Sequence, residues 1–188
     1  MRIPNREISY LFKGEVMAHL ESVTPDNTLL YQLLDGLLTG NAEDFAEALS
    51  NYLRLLASFY DTAARESFHQ GVSDSHDAKA SVRCLYHGLV LGLLATLMPR
   101  FEVVSNRESG YGRFDVAIFP GKGQTAGALL EFKVAETEAE MPERAKEALA
   151  QIEANQYAAE FERRGVKDFW QYGIAFWGKK CHIETGEN

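Results

Sequence analysis

An α/β fold is what this sequence predicts, on three observations. From residue 77 onward the apolar period alternates between helical and strand-like in the order α, β, β, β, α, β, with a last β appended. Two apolar runs of strand length, FDVAIF and GALLEFKV, carry Asp115, Glu131 and Lys133, charges that an ordinary buried strand avoids. The first 75 residues, by contrast, read as helices alone, and the polar stretch HQGVSDSHD (69–77) sets them apart. The expected organisation is therefore a helical accessory or linker region over 1–75 and a second domain over 76–188.

The elements follow in order. Thr24, Pro25 and Asp26 are an N-cap with proline at the first helical position, opening PDNTLLYQLLDGLL, which Gly40 stops. Asn41 caps the next helix, AEDFAEALSNYLRLLASFYD, whose Phe45, Leu49, Tyr52, Leu53 and Leu56 recur along one face. The polar stretch holds His69, Asp74, His76 and Asp77, but without a helical His pair or a cysteine it reads as a solvated loop rather than a metal site. AKASVRCLYHGLVLGLLATLM is apolar on most of its circumference, predicting a buried helix that Pro99 ends. FEVVSN, FDVAIF and GALLEFKV are strands separated by Gly-rich or polar turns. A helix of about 25 residues ended by Gly165 should follow. FWQYGIAFW is an aromatic strand that Gly178 and Lys179 turn into a short final strand, KCHIE.

Composition limits the function. The net charge of −8 gives no general attraction to nucleic acid, but it is unevenly placed. Residues 1–75 hold 5 basic and 11 acidic side chains, residues 76–188 hold 14 and 16, and the stretch from Arg100 to Lys133 has five basic groups against four acidic ones. Cys84 and Cys181 are too few for a disulfide scaffold and point to a reducing, cytoplasmic compartment, both as core or edge residues. The longest apolar run, Gly88 to Met98, is shorter than a membrane span needs, and the N-terminus has no signal-peptide core.

Gly173 to Lys179 formally matches the phosphate loop GxxxxGK, but the intervening Ile, Ala, Phe and Trp, Lys180 where a Ser or Thr should follow, and the missing helix argue against a nucleotide site. No GxSxG turn is present. The strand charges remain. Glu131 and Lys133 lie two apart and emerge on one face, and Asp115 sits on the preceding strand across a loop of about eight residues that allows antiparallel pairing. Close carboxylates repel unless a cation or proton intervenes, and hard oxygen ligands suit Mg²⁺ or Mn²⁺. Lys133 is placed to hold or help deprotonate a water beside such an ion. An exposed sheet face with an ordinary Glu–Lys pair is the competing reading.

Residues 76–188 resemble the PD-(D/E)XK nuclease superfamily through LYHGLVLGLL, SNRESGYGRFDVAIFP, LLEFKVAE, ALAQIEANQYA and YGIAFWGKKCHI, in that order. They are most similar to the nuclease-like domain that follows an AAA-ATPase-like domain in bacterial and archaeal proteins, and RIPNREISYLF resembles the segment joining the two. The resemblance implies a restriction-endonuclease-like α-β-β-β-α-β core, a mixed sheet flanked by helices. It implies that Asp115 and Glu131 bind the divalent metal, that the Phe132 carbonyl adds a ligand, and that Lys133 serves the attacking water. Gln151 matches a glutamine that points at the site in the RecB-like branch; a solvent-facing helix residue is the alternative. Many members supply a Glu from the first core helix, whereas SVRCLYHG offers no acid and leaves His87 as the substitute, or else as a packed helix histidine. Arg107, Tyr111 and Arg113 flank the first two strands, where they could grip phosphate or stack on a base. The expected function is Mg²⁺-dependent hydrolysis of nucleic acid, DNA before RNA. A silent nuclease-like module partnering an AAA-type ATPase is the alternative, and the helical N-terminal part is a third possibility as a homodimer surface.

Overall fold

The computed structural model of the chain describes residues 28–56, 76–109 and 111–186. A five-stranded mixed sheet organises them: β1 (Phe101–Ser109), β2 (Gly112–Pro120), β3 (Ala126–Val134), β4 (Asp168–Trp177) and β5 (Lys180–Gly186), in that spatial order. Only the β3–β4 pair is parallel, because the connection between them is the long helical crossover. This is the predicted α/β architecture, with the helix–strand order as read.

One sheet face carries three helices: α1 (Thr28–Thr39), α2 (Ala42–Leu56) and α3 (His76–Leu94). Gly40 ends α1 at φ 83°, and Asn41 caps α2 by accepting the Asp44 N–H at 3.2 Å. The proposed cap at Thr24 and Pro25 lies outside the described residues. Leu33, Leu37, Phe45, Leu49 and Tyr52 share one core with Val82, Tyr86 and Val90 of α3 and with Val116, Leu130, Phe132, Tyr172, Ile174 and Phe176 of the sheet. Tyr172 donates its hydroxyl proton to the Leu37 carbonyl at 2.6 Å. The first two described helices therefore pack directly on the strands of the second part.

The opposite face carries α4 (Met141–Ala154) and α5 (Ala159–Arg163), packed through Ile152, Phe161 and, in the link between them, Tyr157 against Ala117, Phe119, Leu129 and Phe169. The strand alternation of β4 puts Tyr172, Ile174 and Phe176 on the first face and leaves Gly173 and Ala175 toward α4. A Cβ on Gly173 would stand 2.1 Å from the Ala145 carbonyl oxygen, so this glycine is needed for the helix to lie directly on the sheet. The glycine that opens the false phosphate-loop match thus has a packing role within a strand.

Four expectations are corrected. The 25-residue helix is two: α4 stops at Ala154, Gln156 adopts φ 52°, and Tyr157 turns inward to donate to the Arg113 carbonyl at 3.1 Å. A buried tyrosine seeking a carbonyl partner on β2 overrides local helix propensity. The first strand runs to Ser109 rather than ending at Asn106, because β1 pairs with β2 on both sides of Asn106. His76 and Asp77 open α3 instead of closing a loop, while His69 and Asp74 lie outside the described residues. Finally, α3 is not buried all round. Arg83, Cys84 and Gly88 are exposed, so Cys84 is no core residue.

Candidate active site

The β2–β3 ladder is short. Val116, Ala117 and Ile118 pair with Leu130, Leu129 and Ala128, and the strands then part although both continue. The parting begins where the register would set Asp115 opposite Glu131. On the other side of β2 the ladder skips Asn106, whose φ is 53°. Asp115 therefore sits at a break in both neighbouring ladders. A backbone N–H released from a ladder must find another partner when buried. Asp115 provides it, accepting the Phe132 N–H on Oδ2 at 2.8 Å, so the side chain props the strands apart.

The opening is reached from both faces of the sheet. From α3, Arg83 Nη2 donates to both oxygens of Asp115 at 2.8 and 2.7 Å and to Glu131 Oε1 at 3.3 Å. Both carboxylates thus touch a single nitrogen. From α4, Gln151 donates through Nε2 to Glu131 Oε1 at 2.7 Å and accepts from Lys133 Nζ at 2.5 Å. Its amide orders the strand pair that the alternation of β3 places on one face. Tyr157 closes the set: its hydroxyl accepts from Asn155 Nδ2 at 3.0 Å and from Gln151 Nε2 at 3.5 Å. A Cβ on Gly112 would stand 2.8 Å from that hydroxyl.

Electrostatics follows from burial. Glu131 is 0% exposed, and desolvation first, then the charge of Asp115, pushes its pKa up to about 8 against the relief given by Arg83 and Lys133. Its Oε2 is buried and has no hydrogen-bond partner among the described residues. Burial opposes the charge on Arg83, but the two carboxylates more than offset this and raise its pKa. For His87 burial dominates, lowering its pKa although Asp115 pulls the other way.

The sequence-derived candidates fare as follows. Asp115, Glu131, Lys133 and Gln151 come together, with Phe132 tying the first to the strand of the others. His87 lies at the rim: its Nδ1 is 3.8 Å from Asp115 Oδ1 and its Nε2 is 3.4 Å from Asn106 Nδ2. Tyr111, 80% exposed, sits in the turn between β1 and β2, which is held by its N–H donating to the Asn155 carbonyl at 2.9 Å. Arg113 is exposed at the start of β2, close enough for its charge to act on His87. The backbone of Arg107 lies in β1, and its side chain is outside the described ones. Arg83 and Tyr157 were missed. The signal for Arg83 was present, since it precedes His87 by four positions and so shares its helix face; a search for acids on that helix passes over it.

Among the described residues no group of three His, Cys, Asp or Glu side chains clusters as a metal site. The donor set still fits a hard divalent cation, since Mg²⁺ is commonly held by one or two carboxylates and completes its shell with water and phosphate. The unpartnered Glu131 Oε2 is a ligand atom in want of such a cation. The same residues suit neither a soft metal nor an organic cofactor. No helix among the described residues is long and apolar enough to cross a membrane.

Comparison with curated proteins finds no match. The family model described as the PD-(D/E)XK nuclease superfamily matches residues 84–186, which takes in the second part of α3, all five strands and the crossover. Superfamily members are typically nucleases that use divalent metals, and some are inactive. With an acid from each of two parting strands, a lysine two residues beyond the second acid, and a family match spanning all three, the chain belongs to the PD-(D/E)XK nuclease superfamily.

Proposed function

We propose that this protein is a Mg²⁺- or Mn²⁺-dependent nuclease that hydrolyses phosphodiester bonds, in DNA rather than RNA. The observation that carries the reading is the convergence of Asp115 and Glu131 on one nitrogen with Lys133 held beside them through Gln151. Asp115 and Glu131 would hold the ion, with the Phe132 carbonyl as a further ligand. When bound, such an ion polarises the phosphate and acidifies a water. Lys133 Nζ would orient the attacking water and, by its positive charge, favour loss of that water's proton to bulk solvent, and Gln151 keeps the ammonium beside Glu131. His87 lines the rim next to Asp115. Arg113 and Tyr111, exposed on β2 and on the turn before it, present a cation and a ring to the backbone and bases, with Arg107 on the neighbouring strand. The basic excess between Arg100 and Lys133 favours an anionic polymer despite the acidic whole.

Incubation with plasmid and with single-stranded DNA plus Mg²⁺ or Mn²⁺ tests this. Cleavage by the native chain should vanish in Asp115→Ala and fall roughly 10²- to 10³-fold in Lys133→Ala, the range for losing one preorganised electrostatic donor. Equal cleavage by all three proteins would expose a contaminant and remove the claim.

A second reading is favoured by Arg83, which sets its charge against both carboxylates and stands in the stretch SVRCLYHG, which offers no acid. It is a nuclease-like module that binds nucleic acid without cutting it and serves an AAA-type ATPase. DNA binding by fluorescence anisotropy without cleavage at any metal concentration supports it.

A further inference from the structure

Two cations stand beside the acid pair without any ion. Arg83 touches both Asp115 and Glu131, and the charges of Arg83 and Lys133 both act on Glu131. The two cations are used differently. Lys133 reaches the acids through the Gln151 amide, whereas Arg83 places one nitrogen directly against both carboxylates, the position an ion would take. We propose that Arg83 is a tethered counter-cation of the acid pair, and that a divalent ion binds Asp115 and Glu131 only by displacing it. The proposal rests on the reading of this site as a metal-dependent one.

Three features support displacement over coexistence. A divalent ion between the carboxylates would bring two more positive charges against a guanidinium nitrogen within contact distance of the same oxygens, a repulsion that a partly desolvated site does not screen. The Arg83 side chain is 45% exposed, so its head has a solvated position to move to on a flexible stem. Only Nη2 is engaged among the described residues, so no other contact of the guanidinium with them has to be broken. The arrangement also explains how buried acids coexist in the folded chain: among the described residues, removing Arg83 leaves Lys133 as the remaining charge that eases Glu131.

Titration calorimetry of the full chain with Mn²⁺ tests the proposal against Arg83→Met and against Arg83→Gln, which keeps N–H donors but no charge. Both variants should bind Mn²⁺ about tenfold more tightly or better, the effect of removing one close like charge. In thermal unfolding without metal both should melt below the native chain, and saturating Mn²⁺ should raise their melting temperatures by more than it raises the native one. Equal or weaker Mn²⁺ binding in both variants, with native binding abolished by Glu131→Gln, overturns the role of Arg83 and leaves the metal reading intact. No binding in any of the proteins overturns the metal reading, and this inference with it.

Discussion

Glu131 is the residue whose surroundings work hardest against its charge. It is fully buried beside Asp115, with one oxygen unpartnered among the described residues, and its pKa is pushed up to about 8 by desolvation and by that neighbour. The unfolded chain gives up this proton near the ordinary value of 4.5, whereas the folded chain keeps it. Folding is therefore penalised progressively as pH rises from about 4.5 to about 8, and no further above that. Metal-free protein should lose stability across this window, by an amount on the order of a few kcal/mol. Glu131→Gln should flatten the pH profile of chemical denaturation and make the protein more stable than native at pH 8. A native profile that rises over the same interval contradicts this account. At this scale the sequence was informative about Asp115, Glu131 and Lys133, because charges inside apolar strands conflict with burial. For Arg83 it held only the helix face shared with His87, which does not say that the arginine meets the acids.

Elements act on the site through how closely they approach. α4 brings Gln151 to Glu131 because Gly173 and Ala175 leave no side-chain bulk between helix and strand. Gly173→Val should force α4 away from β4. Overpacking of this kind costs roughly 1–3 kcal/mol, and the Gln151 contact to Glu131 and Lys133 should loosen with it. The check is twofold: a lower midpoint in urea, and a fall in turnover that exceeds any change in substrate affinity. Native turnover with Gly173→Val would show that Gln151 has no positioning role. The split of the predicted long helix belongs to the same scale. Residues 141–163 have a helical pattern throughout, but the stop at Ala154 serves Tyr157, whose hydroxyl joins Gln151, Asn155 and the Arg113 carbonyl. Propensity is local, whereas that hydroxyl's partner is supplied by a strand 44 positions away.

For the molecule as a whole, α1 and α2 cover the sheet face opposite α4. Their Leu33, Leu37, Phe45, Leu49 and Tyr52 are buried against the same strands as α3. A chain trimmed to residues 76–188 should therefore expose Tyr172 and its apolar neighbours, bind a hydrophobic dye and fail to unfold cooperatively. A sharp two-state transition in the trimmed chain would show that the helices are dispensable to the core. What the sequence determined by itself was the element order, the turn at Gly178 and Lys179, the caps at Gly40 and Asn41, and the strand charges that mark the site, because each is written in residues close together along the chain. Tertiary structure alone decided that β2 and β3 part at Asp115, that Arg83 and Gln151 enter the gap from opposite faces, and that α1 and α2 join the sheet's core. Each of these depends on which distant surfaces meet, and a periodic pattern states that a face is apolar without stating what covers it.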